Sequence, residues 1–150
     1  MSHPATRPRR TRQSDAWRRM VRETRLSADA LIYPLFAVPG RGVRHPVSSM
    51  PGVSQVSVDE LVKDAKAVAA TGVPAVLLFA APAEKDARAS AALDPKGLAA
   101  QAIAAIKDAC PNLLVWADVC LCGATDHGHC RHVLPGGAID NDSSSETLAQ

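Results

Sequence analysis

Short apolar runs alternate with helix-forming segments along this chain of 150 residues, and the alternation restricts the folds open to it. Three runs, at residues 31–38, 75–80 and 113–120, are typical of buried strands. The segments that follow the first two carry apolar residues at helical spacing. Strands that alternate with helices form parallel sheets joined by right-handed crossovers. We therefore expect an α/β fold.

Capping patterns mark where the helices begin and end. Ser57 and Glu60 match a capping box and predict a helix that stops at Gly72. Asp94, followed by Pro95, predicts the start of the second helix. Apolar residues of that helix that share one face are Ala99, Ile103 and Ile106.

The remaining chain organisation indicates a part of a larger fold. Residues 39–56 are too long for an ordinary connection and predict a functional or packing loop. Pro34, inside the first run, predicts an edge or irregular position. Asp142 opens another helix that is still incomplete at residue 150. Three strands neither close a barrel nor fill a doubly wound sheet, although a small complete three-layer domain is the alternative.

Composition limits the class of protein. Hydrophobic residues make up 47% of the chain and charged residues 21%, which excludes disorder throughout. No apolar run approaches the ~20 residues of a membrane span, and no apolar segment of a secretory signal is visible. We expect a cytoplasmic protein that does not bind membranes, in which the four cysteines are thiols for metal or chemistry rather than disulfides.

Positive charge is concentrated at the amino terminus. Residues 1–25 hold eight arginines against two acids, a balance of +6, whereas the other 125 residues hold nine bases against thirteen acids, a balance of −4. Such an arm binds either nucleic acid or an acidic surface of another subunit. Trp17 is its single aromatic, and no basic cluster elsewhere extends a groove, so we favour subunit contact.

The cysteines after the third run predict a metal site. Cys120 and Cys122 are two residues apart, so in an extended chain their thiols share a face, and Cys130 can fold back to meet them. Three thiolates form three corners of a zinc tetrahedron and leave the fourth open for water or substrate. The alternative is that they are small core residues, the interpretation we prefer for Cys110.

Polar residues surround these cysteines. One histidine could close the site, or the polar groups could act as hydrogen-bond partners and proton carriers; they are Asp126, His127, His129 and His132. Asp118 stands in an apolar run, on the same face as Cys120 and Cys122 by strand alternation. It is either a charge partner inside the site or an acid that caps the loop.

The cysteine spacing, with Thr125, Asp126 and His127 inside it and Asp118 before it, resembles the zinc-binding signature of the porphobilinogen synthase (5-aminolevulinate dehydratase) family. Further segments similar to that family are residues 7–12, 20–23, 31–36, 49–53, 85–86 and 139–142. Three residues depart from the family pattern: Ala124 stands where an aromatic residue is usual, Arg131 where glycine is usual, and Ala89 where glycine is common. The resemblance covers essentially the whole chain.

The resemblance implies the first part of a (β/α)8 barrel with an amino-terminal arm, roughly half of a complete family member. It also implies a hydro-lyase that joins two molecules of 5-aminolevulinate into porphobilinogen, with loss of two waters, in haem and tetrapyrrole biosynthesis. Family members form homo-octamers in which the arm wraps a neighbouring subunit, which argues against nucleic acid. We accordingly divide the chain into an arm, residues 1–25, and a partial barrel with the zinc loop, residues 26–150.

In the family, two lysines on later strands form Schiff bases with the substrates. The five lysines of this chain match no such motif, and we expect them to be solvated; they are Lys63, Lys66, Lys85, Lys96 and Lys107. The chain would thus carry Zn²⁺ on Cys120, Cys122 and Cys130, with Asp118 as an auxiliary catalytic group, and be inactive alone. The alternatives are a freestanding zinc-binding module and a nucleic-acid-binding α/β domain.

Overall fold

A computed structural model describes residues 8–150, so predictions that concern residues 1–7, including Arg7, lie outside it. The helices are α1 (Asp15–Val21), α2 (Val58–Ala70), α3 (Leu98–Ala109) and α4 (Asn141–Leu148). The strands are β1 (Ile32–Ala37), β2 (Arg44–Pro46), β3 (Ser54–Val56), β4 (Ala75–Ala80), β5 (Leu114–Ala117), β6 (His132–Val133) and β7 (Ile139–Asp140). Short 3-10 turns occupy Pro8–Arg12, Ala28–Ala30 and Ser90–Ala92.

Five strands form one sheet in the order β2-β3-β1-β4-β5. The three strands expected from the apolar runs, β1, β4 and β5, are adjacent and parallel. Each of the two connections between them contains a helix, α2 in the first and α3 in the second. The predicted parallel α/β arrangement is therefore confirmed.

Strand β1 has different partners along its two edges. It pairs with β4 over its full length, with Phe36 opposite Phe79. On the other edge, β3 pairs only with Phe36 and Ala37. Pro34 consequently lies where β1 has a single strand partner, a position in which a missing backbone N–H is tolerated.

The prediction of a loop over residues 39–56 is wrong, because β2 and β3 form an antiparallel hairpin within it. Each of these strands has three residues, too few for apolar alternation to be recognised. The hairpin is attached to α2 through Arg44, whose guanidinium lies 2.8 Å from Asp64 and 3.2 Å from Glu60.

The main core lies between the sheet and helices α2 and α3. Leu61 and Ile106, one from each helix, are fully buried, and so is Val76 of β4. The other buried members are Leu35, Ala37, Val56, Ala65, Val68, Leu78, Ala102 and Leu113. Cys110, at the end of α3, packs against this core, in agreement with the packing role expected for it.

Helix α2 begins at Val58 with Ser57 at its N-cap, as predicted, and α4 begins at Asn141, one residue before the predicted Asp142. The Ser57 hydroxyl makes no capping bond; it accepts from the Val43 N–H and donates to Asp59, because the hairpin lies beside it. Helix α3 begins at Leu98, behind Gly97, and not at Asp94. The Asp94 carboxylate instead accepts the Lys96 N–H and closes a turn that precedes the helix.

The described part of the arm makes no core contact. Helix α1 has no buried residue, and it begins with the Ser14 hydroxyl accepting the Trp17 N–H. Apolar side chains project from it into solvent: Met20 is 71% exposed and Trp17 is 47% exposed. Among the described helices, none has the length and apolar character needed to cross a membrane.

Candidate metal centre

Strand β5 ends at Ala117, three residues earlier than the apolar run predicts. Cys120 and Cys122 therefore lie in the turn that follows the strand, and strand alternation does not bring their thiols together. The turn does so instead, because the carbonyl of Leu121 accepts the N–H groups of both Ala124 and Thr125. The predicted proximity is present, with a different cause.

The three thiols form one cluster. The sulfur atoms of Cys120, Cys122 and Cys130 all lie within 4.8 Å of one another, and those of Cys120 and Cys122 are 3.2 Å apart. A metal held at about 2.3 Å by tetrahedral thiolates needs sulfurs about 3.8 Å apart, a spacing within the range of this cluster. Cys130 is exposed and the other two are half-buried, so a metal ion could enter.

The pKa values of the two closest thiols are shifted in opposite directions. The hydrogen bond to Cys120, and to a smaller extent burial, raises the pKa of Cys122 to about 11. Burial opposes ionisation of Cys120, yet hydrogen bonds from the backbone and thiol of Cys122 bring the pKa of Cys120 below its usual value. Cys120 is thus the first of the pair to ionise.

Close packing fixes the cysteine turn to the end of β4. A Cβ atom on Gly123 would lie 2.8 Å from the carbonyl oxygen of Ala80, so only glycine fits there without a shift. Leu121, between Cys120 and Cys122, is buried in a small cluster with Ala89, Ala124 and the partly buried Leu148. The turn therefore sits at the carboxyl ends of the parallel strands.

A side-chain hydrogen bond helps to bring Cys130 close to Cys120 and Cys122. Thr125 is 1% exposed, and its hydroxyl donates to the carbonyl of His129 at 3.0 Å. This bond spans residues 125–129 and brings Cys130, the next residue, back over the turn.

Asp118 lies beside the thiols, though outside any strand. Its N–H donates to the Leu78 carbonyl at 3.0 Å, and its charge acts to raise the pKa of Cys120. It lines the same cavity as Cys120 and Cys122. Contrary to the prediction, Asp118 does not share a strand face with the cysteines, because β5 ends one residue before it, but it lies in the expected neighbourhood.

No histidine among the described residues joins the thiol cluster. The His127 ring accepts the His129 N–H at 3.1 Å, which occupies one of its nitrogens. The His132 ring lies 2.8 Å from the Thr147 hydroxyl and 3.4 Å from the Ala87 carbonyl, so it joins α4 to the β4–α3 connection. Asp126 is exposed.

The cavity beside the thiols has a volume of about 200 Å³. Phe36 and Phe79 line it as a stacked pair, with ring centroids 5.0 Å apart. These rings were not predicted as site residues. Their signal was the equivalent position each occupies near the end of an apolar run, which the strand register converts into a contact.

No lysine of the described chain lines this cavity. Lys63, Lys66, Lys85 and Lys96 are exposed. Lys107 donates to the carbonyls of Pro111 and Leu113. The ion pair with Glu60 raises the pKa of Lys63, the opposite of what an amine nucleophile requires.

Comparison with known proteins gives one consistent result. The family model of delta-aminolevulinic acid dehydratase matches residues 5–150. The chain is 49% identical over 148 residues to the delta-aminolevulinic acid dehydratase of Synechococcus elongatus, covering 97% of this chain and 45% of the relative. It is 51% identical over 144 residues to that of Halalkalibacterium halodurans, covering 96% of this chain and 44% of the relative.

A solved structure supports the same assignment. Delta-aminolevulinic acid dehydratase (porphobilinogen synthase) from Toxoplasma gondii ME49, in complex with the reaction product porphobilinogen, superimposes with a TM-score of 0.89 at 35% identity. The match covers 97% of this chain and 42% of that one, consistent with a partial barrel. The chain spans less than half the length of these relatives. It belongs to the delta-aminolevulinic acid dehydratase family.

Proposed function

We propose that this chain supplies the metal-binding part of a porphobilinogen synthase, which condenses two molecules of 5-aminolevulinate into porphobilinogen. The observation that carries the proposal is the cluster of three thiols beside a cavity at the carboxyl ends of parallel strands. Active sites of barrel enzymes lie at that end of the strands.

The ion would be zinc, held by Cys120, Cys122 and Cys130. Three thiolates suit a soft tetrahedral ion, and no fourth protein ligand adjoins the described cluster, which is typical of a catalytic rather than a structural site. When bound, zinc acts as a Lewis acid that polarises a substrate carbonyl or binds an amine.

The side chains around the cavity have separate tasks. The Asp118 carboxylate attracts the ammonium group of a substrate and accepts a proton when that amine becomes a nucleophile. Phe36 and Phe79 form an apolar wall that excludes water from the reacting groups. Cys120 and Cys122 line the same cavity as this wall.

Covalent steps of the condensation need amines that the described residues do not provide at the cavity. Schiff-base formation requires a lysine whose pKa is lowered by burial. We therefore propose that the 150 residues alone form no porphobilinogen, and that the lysines come from the part of the protein that the longer relatives possess.

We further propose that the arm, residues 1–25, contacts another subunit and that residues 26–150 form the partial barrel. Solvent-exposed Trp17 and Met20, in a segment of net charge +6, suit an acidic neighbour with an apolar groove. The complete enzyme would be a cytoplasmic homo-octamer.

A chimera tests the catalytic proposal. Residues 1–150 are joined to the remainder of the Synechococcus elongatus relative, and porphobilinogen is measured colorimetrically together with bound zinc. We expect turnover by the chimera, none by the 150 residues, and loss of both zinc and turnover in Cys122→Ser. Cys110→Ser is the matched control and should behave as the parent.

Two outcomes would contradict the proposal. Turnover by the 150 residues alone would show that the missing lysines are not needed. A chimera that folds and binds zinc, yet forms no product, would favour a freestanding zinc-binding module.

Deletion of residues 1–12 from the chimera tests the arm. The assembly mass measured by light scattering should fall, while bound zinc stays constant. An unchanged mass, with a loss of affinity for RNA or DNA, would favour the nucleic-acid alternative.

A further inference from the structure

The three cysteines lie in one loop, residues 120–130, here called the cysteine loop. The connection between β4 and α3 pairs with this loop at one residue, Asp86. Its N–H donates to the carbonyl of Ala124, and its carbonyl accepts the N–H of Asp126, both at 3.3 Å. These bonds form an isolated parallel bridge between Asp86 and Thr125. The backbone of Asp86 is therefore joined directly to the segment that lies between Cys122 and Cys130.

The side chain of Asp86 stabilises its own turn. One carboxylate oxygen accepts the N–H of Arg88 at 2.8 Å and that of Ser90 at 3.1 Å. The carbonyl of Asp86 also accepts the Ala89 N–H at 3.2 Å. Three bonds from one residue thus fix the conformation of residues 86–90.

The turn holds Ala89 in an uncommon backbone conformation. Its φ of 57° and ψ of 36° lie in the left-handed region. Among the residues that the structure describes, it is the only non-glycine residue with a positive φ. Such a conformation persists only where the surroundings determine it. Here the result is that the Ala89 side chain is fully buried in the cluster of Leu121 and Ala124.

Leu121 is the residue between two of the thiols. Its side chain contacts the Ala89 cluster, and its carbonyl holds the turn that carries Cys122. A change in the 86–90 turn would therefore shift Leu121, and with it the sulfur atoms of Cys120 and Cys122.

We propose that Asp86 is a positioning residue for the metal thiols: its carboxylate holds the 86–90 turn, which holds Ala89 against Leu121 between Cys120 and Cys122. The inference deepens the proposed function, because it rests on a metal bound by these cysteines. Asp86 does not line the cavity beside the thiols and would act through the loop alone.

The experiment compares three variants of the full chain. Asp86→Ala removes both side-chain hydrogen bonds, whereas Asp86→Asn keeps an acceptor oxygen at the same place. Asp59→Ala is the matched control: its carboxylate also fixes a loop, by accepting from the Gly42 N–H and the Ser57 hydroxyl, but it does not contact the cysteine loop.

Two readouts are measured for each variant. Zinc affinity is obtained by competition with a chromophoric chelator, and the geometry of the thiolates is followed by the charge-transfer band of Co²⁺ bound in place of zinc. We expect Asp86→Ala to weaken zinc binding by about 10-fold to 100-fold, the range for residues that orient metal ligands. The cobalt band should shift in that variant, while Asp86→Asn and Asp59→Ala should resemble the parent.

The inference is overturned if Asp86→Ala retains the zinc affinity and cobalt band of the parent. It is also overturned if Asp59→Ala changes both readouts equally, because the effect would then reflect general destabilisation. A parent protein that binds no zinc would contradict the proposed function itself, which distinguishes the two failures.

Discussion

The core under helices α2 and α3 and the cysteine loop are stabilised in different ways. The core buries apolar side chains from several strands and both helices, with Leu61, Val76 and Ile106 fully buried. The cysteine loop has a cluster of three buried residues and otherwise depends on hydrogen bonds from backbone groups and from the Thr125 hydroxyl. Its three thiols remain half-buried or exposed.

This difference teaches why a metal site needs a separate means of support. Apolar burial stabilises the core without any ligand, at about 25 cal/mol for each Å² removed from water. Thiols that must meet an ion from solvent cannot be enclosed in the same way. They are held through Leu121, Thr125 and Asp86, so we expect the loop to open at lower free energy than the core and to be stabilised when an ion binds.

The largest effect on stability is expected from Ile106→Ala. Because the side chain is fully buried in the main core, its loss should lower the free energy of unfolding by about 2–5 kcal/mol. Urea denaturation of the full chain measures it. Leu26→Ala, at a residue 82% exposed, is the control and should change stability by less than about 0.5 kcal/mol. Equal effects would remove the distinction between core and surface.

Leu121→Ala should weaken zinc binding as well as lower stability. The small cluster loses its largest member, so the free energy of unfolding should fall by about 2 kcal/mol, the lower end for such substitutions. Zinc affinity should fall about 10-fold, because the turn between the ligands loses its anchor. Leu93→Ala, a nearby residue 40% exposed, is the control. Undiminished zinc affinity in Leu121→Ala would contradict the role assigned to the cluster.

Zinc binding should depend on pH in a defined direction. The pKa of Cys122 is raised to about 11, so at neutral pH this thiol is protonated and must release its proton to become a ligand. Affinity should therefore rise as pH increases from about 6 to 9, by up to tenfold per pH unit for each proton released.

Proton release in weakly buffered solution checks the prediction directly. The parent should release at least one proton per zinc, and Cys122→Ser should release fewer. Proton release that is the same in both would show that Cys122 is not a ligand.

The smallest effect is expected from Ala89→Gly. Glycine relieves the left-handed backbone conformation, a gain of about 1 kcal/mol, but it removes a buried methyl group worth about 0.8 kcal/mol. The net change in the free energy of unfolding should stay within about 0.5 kcal/mol. A loss above about 2 kcal/mol would show that the methyl contact with Leu121 dominates.

Sequence patterns predicted what depends on nearby residues. The apolar run at 75–80 is β4 residue for residue, and the cysteine spacing led to thiols that do cluster. The β2–β3 and β6–β7 hairpins were missed, because strands of two or three residues show no alternation. The turn that gathers the thiols was also missed, since apolar residues continue past the end of β5.

Contacts between segments that are distant along the chain could hardly be predicted from the sequence. The bridge from Asp86 to Thr125 joins residues that no periodicity relates. The one signal was Ala89, which stands where glycine is common in the family and proves to have a positive φ. Stacking of Phe36 on Phe79 likewise follows from strand register, which apolar runs alone do not specify.

The hairpin on the outer edge of β1 restricts how a ring of strands can close. Strand β3 occupies that edge at Phe36 and Ala37, and within the described chain residues 32–35 have no strand partner there. A closing strand would therefore meet only the amino-terminal part of β1 and end level with Leu35. In such a barrel, β3 and not the closing strand would lie beside Phe36. The β2–β3 hairpin would then form that side of the cavity entrance.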